Sequence, residues 1–554
     1  MQQAAVVVIG GGATGVGVLR DLSMRGIKTI LVEQRDLAYG TSSRFHGLLH
    51  SGGRYAVKDA ESARECITEN YILRKVAEYC VEETEGFFVR LPEDDEVFEK
   101  QWVAACEKAG IAAIPVGTDE AGRLEPGLSP RIVSAYRVPD SAIDGFRLVW
   151  QNVMSARKYG GQVLTYTEVI GIEHANNQVV GIKVRHTLTG EIESIACDYI
   201  VNAAGSWVGQ VAALAGINVN VKPDRGVLIA FNHRFTSRVV NRLRPPSDGD
   251  IFVPHGSITI LGTTSSPAAR PDDTVPCTEE VLKLLKIGQP MFEDIYKYRI
   301  LRAFAGTRPL YSADPGATGR AASRNFTIID HAKEGLNGLI TIVGGKLTTY
   351  RLMAEKISDL ICARLGSGTG CRTAVEPLVN KPSDSIVQEA RQYFPAYSLN
   401  PAVSRLGDKL QPVVERMRHS PDKRQLVCEC EMVTLAEMEE LAADCTSYSL
   451  EDVRRRTRLG MGTCQGSFCG FRGVGAAVAA DLMTGKDAPE MMKEFLEARW
   501  SGIRPVLWGN QLKEVELMRG IYDATLNING VFPGCEKNDR EPPVHQLENG
   551  AVER

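Results

Sequence analysis

Residues 4–33 constrain the fold more than any other part of the chain, because they place a strand, a glycine-rich turn, a helix and a second strand in order. Ala4–Ile9 is apolar and β-branched, and the turn GGGATG from Gly10 follows it directly. The second strand, Thr29–Val32, ends at Glu33. This order predicts a parallel α/β domain that binds a dinucleotide.

The three glycines of the turn and the carboxylate of Glu33 have different roles in a dinucleotide-binding site. Gly10 permits the tight turn, Gly12 lets the backbone approach a pyrophosphate, and Gly15 allows close helix packing. The N-terminus of the helix then faces the phosphates. Glu33 lies at the right distance to accept hydrogen bonds from an adenosine ribose, and its charge disfavours the 2′-phosphate of NADP.

Two later segments favour FAD over NAD. The strand Tyr199–Asn202 runs into small residues that end at Gly205, where the backbone can pass close to a dinucleotide. The strand Leu339–Val343 runs through GGK from Gly344 into a helix predicted over residues 348–365. The positive N-terminus of that helix would stabilise negative charge on a reduced flavin.

Length and composition set the broad class. At 554 residues the chain exceeds one ordinary core, and domains of roughly 100–200 residues predict about three of them. A net charge of -4 gives no field that attracts nucleic acid, so we expect no nucleic-acid partner. We find neither a secretory signal nor a run of about 18 apolar residues, and therefore expect any membrane contact to be peripheral.

Four of the thirteen cysteines form two close pairs near the C-terminus. The first pair is Cys428 and Cys430; 33 residues separate Cys430 from Cys464, which forms a C-x4-C loop with Cys469. Four thiolates with glycines nearby fit a [2Fe–2S] cluster, because backbone N–H groups can then approach the cluster sulfurs. Zinc is the less favoured alternative, and four unconnected thiols remain a third. The other cysteines are interpreted as buried inert thiols.

Six motifs resemble the FAD-dependent glycerol-3-phosphate dehydrogenases, within the wider fold group of glycine oxidase and D-amino-acid oxidase. They are VVVIGGGATGVGV from Val6, GTSSRFHGLLHSGGRYA from Gly40, VNAAGSWV from Val201, ILGTT from Ile260, FAGTRPL from Phe304 and GGKLTTYRLMAE from Gly344. The resemblance implies an α/β fold, with a Rossmann-like FAD-binding domain and an inserted β-rich (α+β) substrate domain over residues 1–370. We assign the strands 226–231 and 251–261 to the insert.

The cysteine pairs resemble the bacterioferritin-associated ferredoxin-like module and extend the similarity to the large catalytic A subunit of the anaerobic members. That family oxidises sn-glycerol 3-phosphate to dihydroxyacetone phosphate by hydride transfer from C2 to FAD. Its anaerobic members pass electrons through their partner B and C subunits to the quinone pool. The resemblance therefore implies peripheral attachment at the cytoplasmic face of the inner membrane.

The same motifs imply the site residues. A phosphate calls for cations, and the resemblance offers Arg54, Arg308, Arg324 and Lys346, with Tyr55 beside them. His50 and Lys346 are both candidate bases for the hydroxyl proton. The motifs also imply FAD contacts from the following residues: Thr41, Ser42, Gly205, Gly345, Leu347 and Thr348.

One feature departs from the family. Aerobic members carry a histidine in the segment that corresponds to residues 225–228, and this chain has none there. Either another residue acts as the base or that histidine is not essential. His233 and His255 flank nearby strands, but structural roles are expected for both.

The remaining sequence divides into three parts. Residues 371–424 are predicted as a linker region, 425–486 as the four-cysteine module, and 487–554 as a helical tail whose end is disordered from Pro533. The basic run Arg454, Arg455, Arg456 and Arg458 is interpreted either as a solvated helix face or as a group that offsets an anionic cluster or docks an acidic partner.

Two other functions remain open from the sequence alone. An amine or imino-acid dehydrogenase of the opine or sarcosine type would carry the same modules, although its substrate is a carboxylate. A noncatalytic redox or electron-transfer subunit would hold FAD and a cluster without oxidising any substrate. Competition by inorganic phosphate would distinguish the phosphate-ester dehydrogenase from the amine type, and a wild type that glycerol 3-phosphate does not bleach would support the noncatalytic interpretation.

Overall fold

A computed structural model describes residues 2–311, 325–443 and 449–526. Arg324 and the end of the tail, for which substrate binding and disorder were predicted, lie outside the described residues. The secondary structure of the described ranges forms two large sheets, a smaller sheet beside each, and a helical C-terminal part.

The nucleotide-binding part is built on a six-stranded sheet. Its five parallel strands are apolar and mostly buried, as expected for a sheet covered on both faces. A sixth strand is antiparallel at one edge. In spatial order the strands are Gln162–Leu164, Thr29–Val32, Val6–Ile9, Tyr199–Asn202, Leu339–Gly344 and Phe326–Asp330. The first two predicted strands and the order of strand, turn and helix are confirmed.

Different layers cover the two faces of this sheet. Three helices, Ala13–Met24, Gly145–Lys158 and Tyr350–Leu365, share one apolar core with it. A four-stranded sheet packs on the opposite face through a second core. Its strands in order are Gln2–Gln3, Ile192–Ala196, Gln178–His186 and Thr167–Ala175.

The second large sheet is the β-rich insert. Its main path in spatial order is Ser266–Pro267, Val221–Phe231, Ile258–Gly262, Ile251–His255, Val239–Arg242, Gly86–Arg90, Ser134–Val138 and Ile114–Val116. Ile300–Tyr311 joins it on Val221–Phe231, in a register that faces Arg308 with Asp224. The predicted strand 251–261 is instead a hairpin, because Gly256 takes a positive φ of 56° between its two halves.

Smaller elements connect these parts. The strands Leu48–Leu49, Ser141–Ile143 and Val81–Glu82 form a three-stranded sheet. The connecting helices are Ala60–Val76, Glu96–Ala109, Thr118–Leu124, Val208–Ala213 and Thr278–Gly288.

The segment 371–424, predicted as a linker region, is largely helical. It contains the helices Asp384–Ala390, Ala396–Leu406 and Leu410–His419. Their buried apolar residues form one core that also takes in Ala436 and Leu441 of the cysteine module. The polar composition of this segment suggested a linker. Its apolar residues nevertheless recur among the charged ones at the spacing of a helix, and they form this core.

The C-terminal part is a small helical body around its own core. Two short strands, Leu426–Cys428 and Val433–Thr434, precede the helices Leu435–Ala442, Leu450–Thr457 and Cys469–Ala479. The helices Ala488–Ile503 and Asn510–Leu526 follow, as predicted for the tail. Within the described ranges, no helix has the length and apolar character needed to cross a membrane.

Candidate functional site

A cavity of about 470 Å³ opens at the carboxyl ends of the parallel strands, where ligands bind in folds of this kind. Gly10 and Gly12 line one end of this central cavity together with Glu33. Arg308 and Lys346 line it as well. The sites predicted for a dinucleotide and for a phosphate ester therefore share one continuous space.

The glycine turn leaves room that other residues would fill. Gly10 has a φ of 113°, and a Cβ there would lie 2.7 Å from the carbonyl oxygen of Ala203. A Cβ on Gly15 would lie 1.9 Å from the carbonyl oxygen of Gly10, so Gly15 serves helix packing and does not line the cavity. A Cβ on Gly12 would lie 3.1 Å from Ser42 Oγ and would narrow the space open to a pyrophosphate.

Glu33 is held in place by backbone donors. Its Oε2 accepts a hydrogen bond from the Gly11 N–H at 2.7 Å, and its Oε1 accepts one from the Arg35 N–H at 2.9 Å. Burial raises the pKa of the Glu33 carboxyl, and the two backbone donors oppose that effect. Each carboxylate oxygen retains a further lone pair, which suits the hydroxyls of a ribose.

The predicted FAD contacts Thr41, Ser42 and Gly205 line the cavity. Ser42 Oγ accepts a hydrogen bond from the Ala13 N–H at 2.9 Å, at the start of the first helix. Thr41 Oγ1 donates to the carbonyl oxygen of Thr307 at 2.6 Å. The first helix and the insert are therefore joined through this one short segment.

The turn after the strand Leu339–Gly344 forms another part of the wall of the central cavity. Gly345 has a φ of 76°, and a Cβ there would lie 2.4 Å from Met353 Sδ. Leu347 and Thr348 line the cavity within a short 3-10 turn that leads into the helix Tyr350–Leu365. A helix N-terminus thus faces the cavity, as predicted.

Arg308 enters the cavity from the insert. Its guanidinium donates to Asp224, to Thr263 Oγ1 and to the carbonyl oxygen of Thr264. Gly226 makes room for it, because a Cβ there would lie 2.4 Å from Arg308 Nη2.

Lys346, Tyr55 and His50 lie together on another part of the wall. Lys346 Nζ donates to Ser62 Oγ at 3.0 Å and lies 4.9 Å from the centroid of the Tyr55 ring. The rings of His50 and Tyr55 are 5.5 Å apart, and the backbone N–H of His50 donates to Thr348 Oγ1 at 3.1 Å. Among the cations predicted from the motifs, the structure brings Arg308 and Lys346 to the same cavity.

Arg54 lies behind the wall. Its side chain is 9% exposed, and Nη2 donates to Asp250 Oδ2 at 2.8 Å and to the carbonyl oxygen of Ser247 at 3.1 Å. Arg54 is not among the residues that line the cavity. Arg244 pairs with the same Asp250 carboxylate. The structure therefore places Arg54 in a buried ion-pair group rather than in the cavity wall.

His46 lines the cavity and was not singled out from the sequence. Its ring lies 5.6 Å from the ring of His50 in an edge-on arrangement. Residues 46 and 50 flank the strand Leu48–Leu49, and Gly47, with a φ of 78°, turns the chain between His46 and that strand. Sequence spacing alone gave no signal for this contact.

The four predicted ligand cysteines are neighbours. The thiols of Cys428 and Cys464 both hydrogen-bond to Cys469, and Cys464 also contacts Cys430. Hydrogen bonds, first from Cys469 and then from backbone N–H groups, lower the pKa of Cys428 to about 7 and that of Cys464 to about 4. No set of three or more His, Cys, Asp or Glu side chains in the described ranges is arranged around a single metal ion.

The backbone around these cysteines is shaped by glycine. A Cβ on Gly462 would lie 2.3 Å from Cys430 Cβ, and one on Gly466 would lie 2.5 Å from Phe495 Cζ. The close N–H donors at Gly460 and Gly466 are of the kind that stabilise cluster sulfurs. The four thiols and these donors fit a thiolate-ligated cluster.

The basic run docks the cysteine module onto the nucleotide-binding part. Arg455 and Arg456 both pair with Asp36, at 3.0 and 2.8 Å. Arg458 pairs with Asp144 at 3.3 Å and with Glu431 at 2.8 Å. These arginines therefore contact acidic residues of this same chain, and the interpretation as a solvated helix face is wrong for them.

These features define a dinucleotide-binding oxidoreductase with an FAD-type cavity, and the comparisons with known proteins agree. The family described as FAD dependent oxidoreductase matches residues 5–351. The A subunit of the anaerobic glycerol-3-phosphate dehydrogenase of Escherichia coli (strain K12) is 43% identical over 95% of this chain and 97% of its own length. The chain therefore belongs to the FAD-dependent oxidoreductase family, within the group of anaerobic glycerol-3-phosphate dehydrogenase A subunits.

Solved structures share the fold. The glycerol-3-phosphate dehydrogenase from Bacillus halodurans, solved in complex with FAD, has a TM-score of 0.69 at 21% identity and covers 92% of this chain and 96% of its own. Glycine oxidase from Geobacillus kaustophilus has a TM-score of 0.56 at 18% identity and covers 69% of this chain and 100% of its own. The predicted glycine oxidase type of fold is confirmed.

Proposed function

We propose that the chain is the catalytic subunit of a quinone-linked glycerol-3-phosphate dehydrogenase, which oxidises sn-glycerol 3-phosphate to dihydroxyacetone phosphate. The observation that carries this proposal is the central cavity, because its dinucleotide end and its cationic end form one space. FAD, when bound, supplies the acceptor for a hydride from C2 of the substrate.

The chain's own residues hold the cofactor. Gly10 and Gly12 leave space for the pyrophosphate, and Glu33 accepts hydrogen bonds from the ribose. The remaining contacts come from Thr41, Ser42, Gly205, Gly345, Leu347 and Thr348.

Arg308 and Lys346 bind and orient the substrate. A guanidinium offers two parallel donors to phosphate oxygens, and Arg308 is already oriented by Asp224 and Thr263. Arg54 acts from behind the wall through its charge and its contact with Asp250. Arg324, which lies outside the described residues, is a further candidate for substrate binding by family resemblance alone.

His50 is the better candidate for the base that takes the hydroxyl proton. Lys346 Nζ lies over the Tyr55 ring and donates to Ser62 Oγ, and these two contacts hold it as a binding group on the cavity wall. An imidazole accepts a proton near neutral pH, and His50 lines the same cavity.

The four cysteines would hold a [2Fe–2S] cluster, with zinc as the less favoured alternative. Such a cluster supplies a one-electron relay when it is bound. Cys428, Cys430, Cys464 and Cys469 provide the ligands, and the glycine-rich backbone supplies N–H donors to the sulfurs. We propose residues 1–370 as the flavin-binding part, 425–486 as the cysteine module and 487–554 as the tail, with the helical segment 371–424 between the first two.

Electrons would then leave for the quinone pool through the partner B and C subunits, at the cytoplasmic face of the inner membrane. The Escherichia coli relative is named as one lettered subunit of its dehydrogenase, which supports an assembly of more than one chain.

Steady-state turnover with an artificial electron acceptor tests the substrate. We expect turnover with sn-glycerol 3-phosphate but not with sarcosine or proline, and competitive inhibition by inorganic phosphate. Arg308→Met should lower kcat/KM about 100-fold or more, since it removes a charged contact to phosphate. Arg131→Met is the matched control, because Arg131 forms an exposed pair with Glu93. Turnover with an amine and none with the phosphate ester would overturn the proposal.

A further inference from the structure

His46 has one ring nitrogen occupied by the backbone. The Leu48 N–H donates to His46 Nδ1 at 3.2 Å, so Nδ1 carries the lone pair and the neutral ring carries its proton on Nε2. Among the residues that the structure describes, none forms a hydrogen bond with His46 Nε2. The ring lines the central cavity, so this N–H is available to a ligand there.

The surroundings keep the ring neutral. Burial, and then the positive charges of Arg308 and Arg54, lower the pKa of His46 to about 3. A neutral imidazole whose only lone pair is already engaged is a poor base. It is, however, a good hydrogen-bond donor of fixed direction.

We propose that His46 donates its Nε2–H to a phosphate oxygen of the substrate, as a specificity residue for the phosphate ester. This inference rests on the proposed function. Arg308 and Arg54 are the two cations whose charges reach His46, which marks this end of the cavity as the one that suits a dianion. The His50 ring lies next to His46, and Tyr55 and Lys346 follow by successive contacts; these three residues are assigned to the carbinol end.

Two substitutions separate the nitrogens of His46. His46→Gln can place an amide N–H near the position of Nε2, whereas His46→Asn can only replace Nδ1. We expect His46→Asn to raise KM for sn-glycerol 3-phosphate and to weaken inhibition by inorganic phosphate by roughly 10-fold or more, as for a lost hydrogen bond to a charged group. The fall in kcat should be several-fold smaller, and His46→Gln should recover most of the affinity.

Binding of inorganic phosphate to the oxidised holoenzyme, followed by flavin absorbance, gives a second measurement that needs no turnover. His174→Gln, at an exposed histidine, is the control. Equal phosphate affinity in the wild type and in His46→Asn would overturn the inference. So would a loss of kcat at constant KM, since it would place His46 in proton transfer. Failure of the wild type to oxidise glycerol 3-phosphate would overturn the proposed function, while phosphate binding would still test His46.

Discussion

Gly226 and Arg308 act as a pair, because the absence of a side chain at one creates the position of the other. The guanidinium of Arg308 fills the space beside Gly226 and is anchored there by Asp224. At this position the glycine is selected for close approach of a cation rather than for backbone freedom.

Gly226→Ala should therefore displace Arg308 without removing it. A new Cβ would lie 2.4 Å from Nη2, so the guanidinium must move. We expect KM for sn-glycerol 3-phosphate to rise about 10-fold, in line with one weakened charged hydrogen bond. Gly368→Ala is the control, because an added Cβ there meets no atom within 4 Å. Unchanged steady-state kinetics in Gly226→Ala would contradict this account of the site.

The neutral state of the half-buried His46 should be visible in the pH dependence of stability. The pKa of His46 in the folded protein, about 3, lies below the ordinary value of 6.5. Between these two values the unfolded chain binds a proton that the folded chain does not bind. The free energy of unfolding therefore falls as the pH drops from the ordinary pKa towards 3. Between about pH 7 and about pH 5, His46→Gln should lose roughly 1–2 kcal/mol less than the wild type. Urea unfolding at both pH values measures the difference, and equal losses would show that His46 titrates normally.

At the scale of elements, the helix Leu450–Thr457 determines how the cysteine module is attached. Two of its arginines share the carboxylate of Asp36, which is 1% exposed and follows the second parallel strand. Tyr166, in the turn before the strand Thr167–Ala175, donates to Asp452 of the same helix at 2.6 Å. The positive charges around Asp36 lower the pKa of its carboxyl despite burial.

Asp36→Asn should loosen this attachment. It removes the charge that Arg455 and Arg456 share, and breaking a buried pair costs about 3–5 kcal/mol. We expect faster hydrogen exchange and proteolysis in residues 425–486 than in residues 1–370, at unchanged flavin content. Glu96→Gln is the control, since Glu96 and Lys100 form an exposed pair on a helix surface. Uniform destabilisation of both parts would contradict a docking role.

Elements with strong local signals were predictable from the sequence, and sites made by long-range contacts were not. The first strand, turn and helix follow from apolar periodicity and glycine position. The helices of residues 384–419 were missed because their shared core includes residues far along the chain. Likewise, motif order could not show that Arg54 lies behind the cavity wall or that His46 lies in it.

At the scale of the whole molecule, a second cavity borders both the central cavity and the cysteine module. A cavity of about 1310 Å³ shares Tyr39 and Phe45 with the central cavity and reaches Gln465 of the C-x4-C loop. One wall therefore separates the central cavity from a space that borders the C-x4-C loop.

Loss of the proposed cluster should leave the reduction of the flavin by substrate intact and slow the transfer of electrons from the flavin to the quinone. In Cys464→Ser, substrate should still reduce the flavin, whereas turnover with the quinone-linked acceptor chain should fall at least about 10-fold. Cys277→Ser is the control, because Cys277 is exposed and lies outside the module. Iron content and visible absorbance report the cluster, and full quinone-linked turnover without it would contradict the relay role.

An anaerobic absorbance titration of the purified holoenzyme tests whether this cavity oxidises a phosphate ester of glycerol with FAD. We expect sn-glycerol 3-phosphate to bleach the flavin band at stoichiometric amounts, while glycine, sarcosine and proline leave the flavin oxidised. A flavin that stays oxidised with the phosphate ester, or that is bleached by an amine instead, would contradict the proposed function.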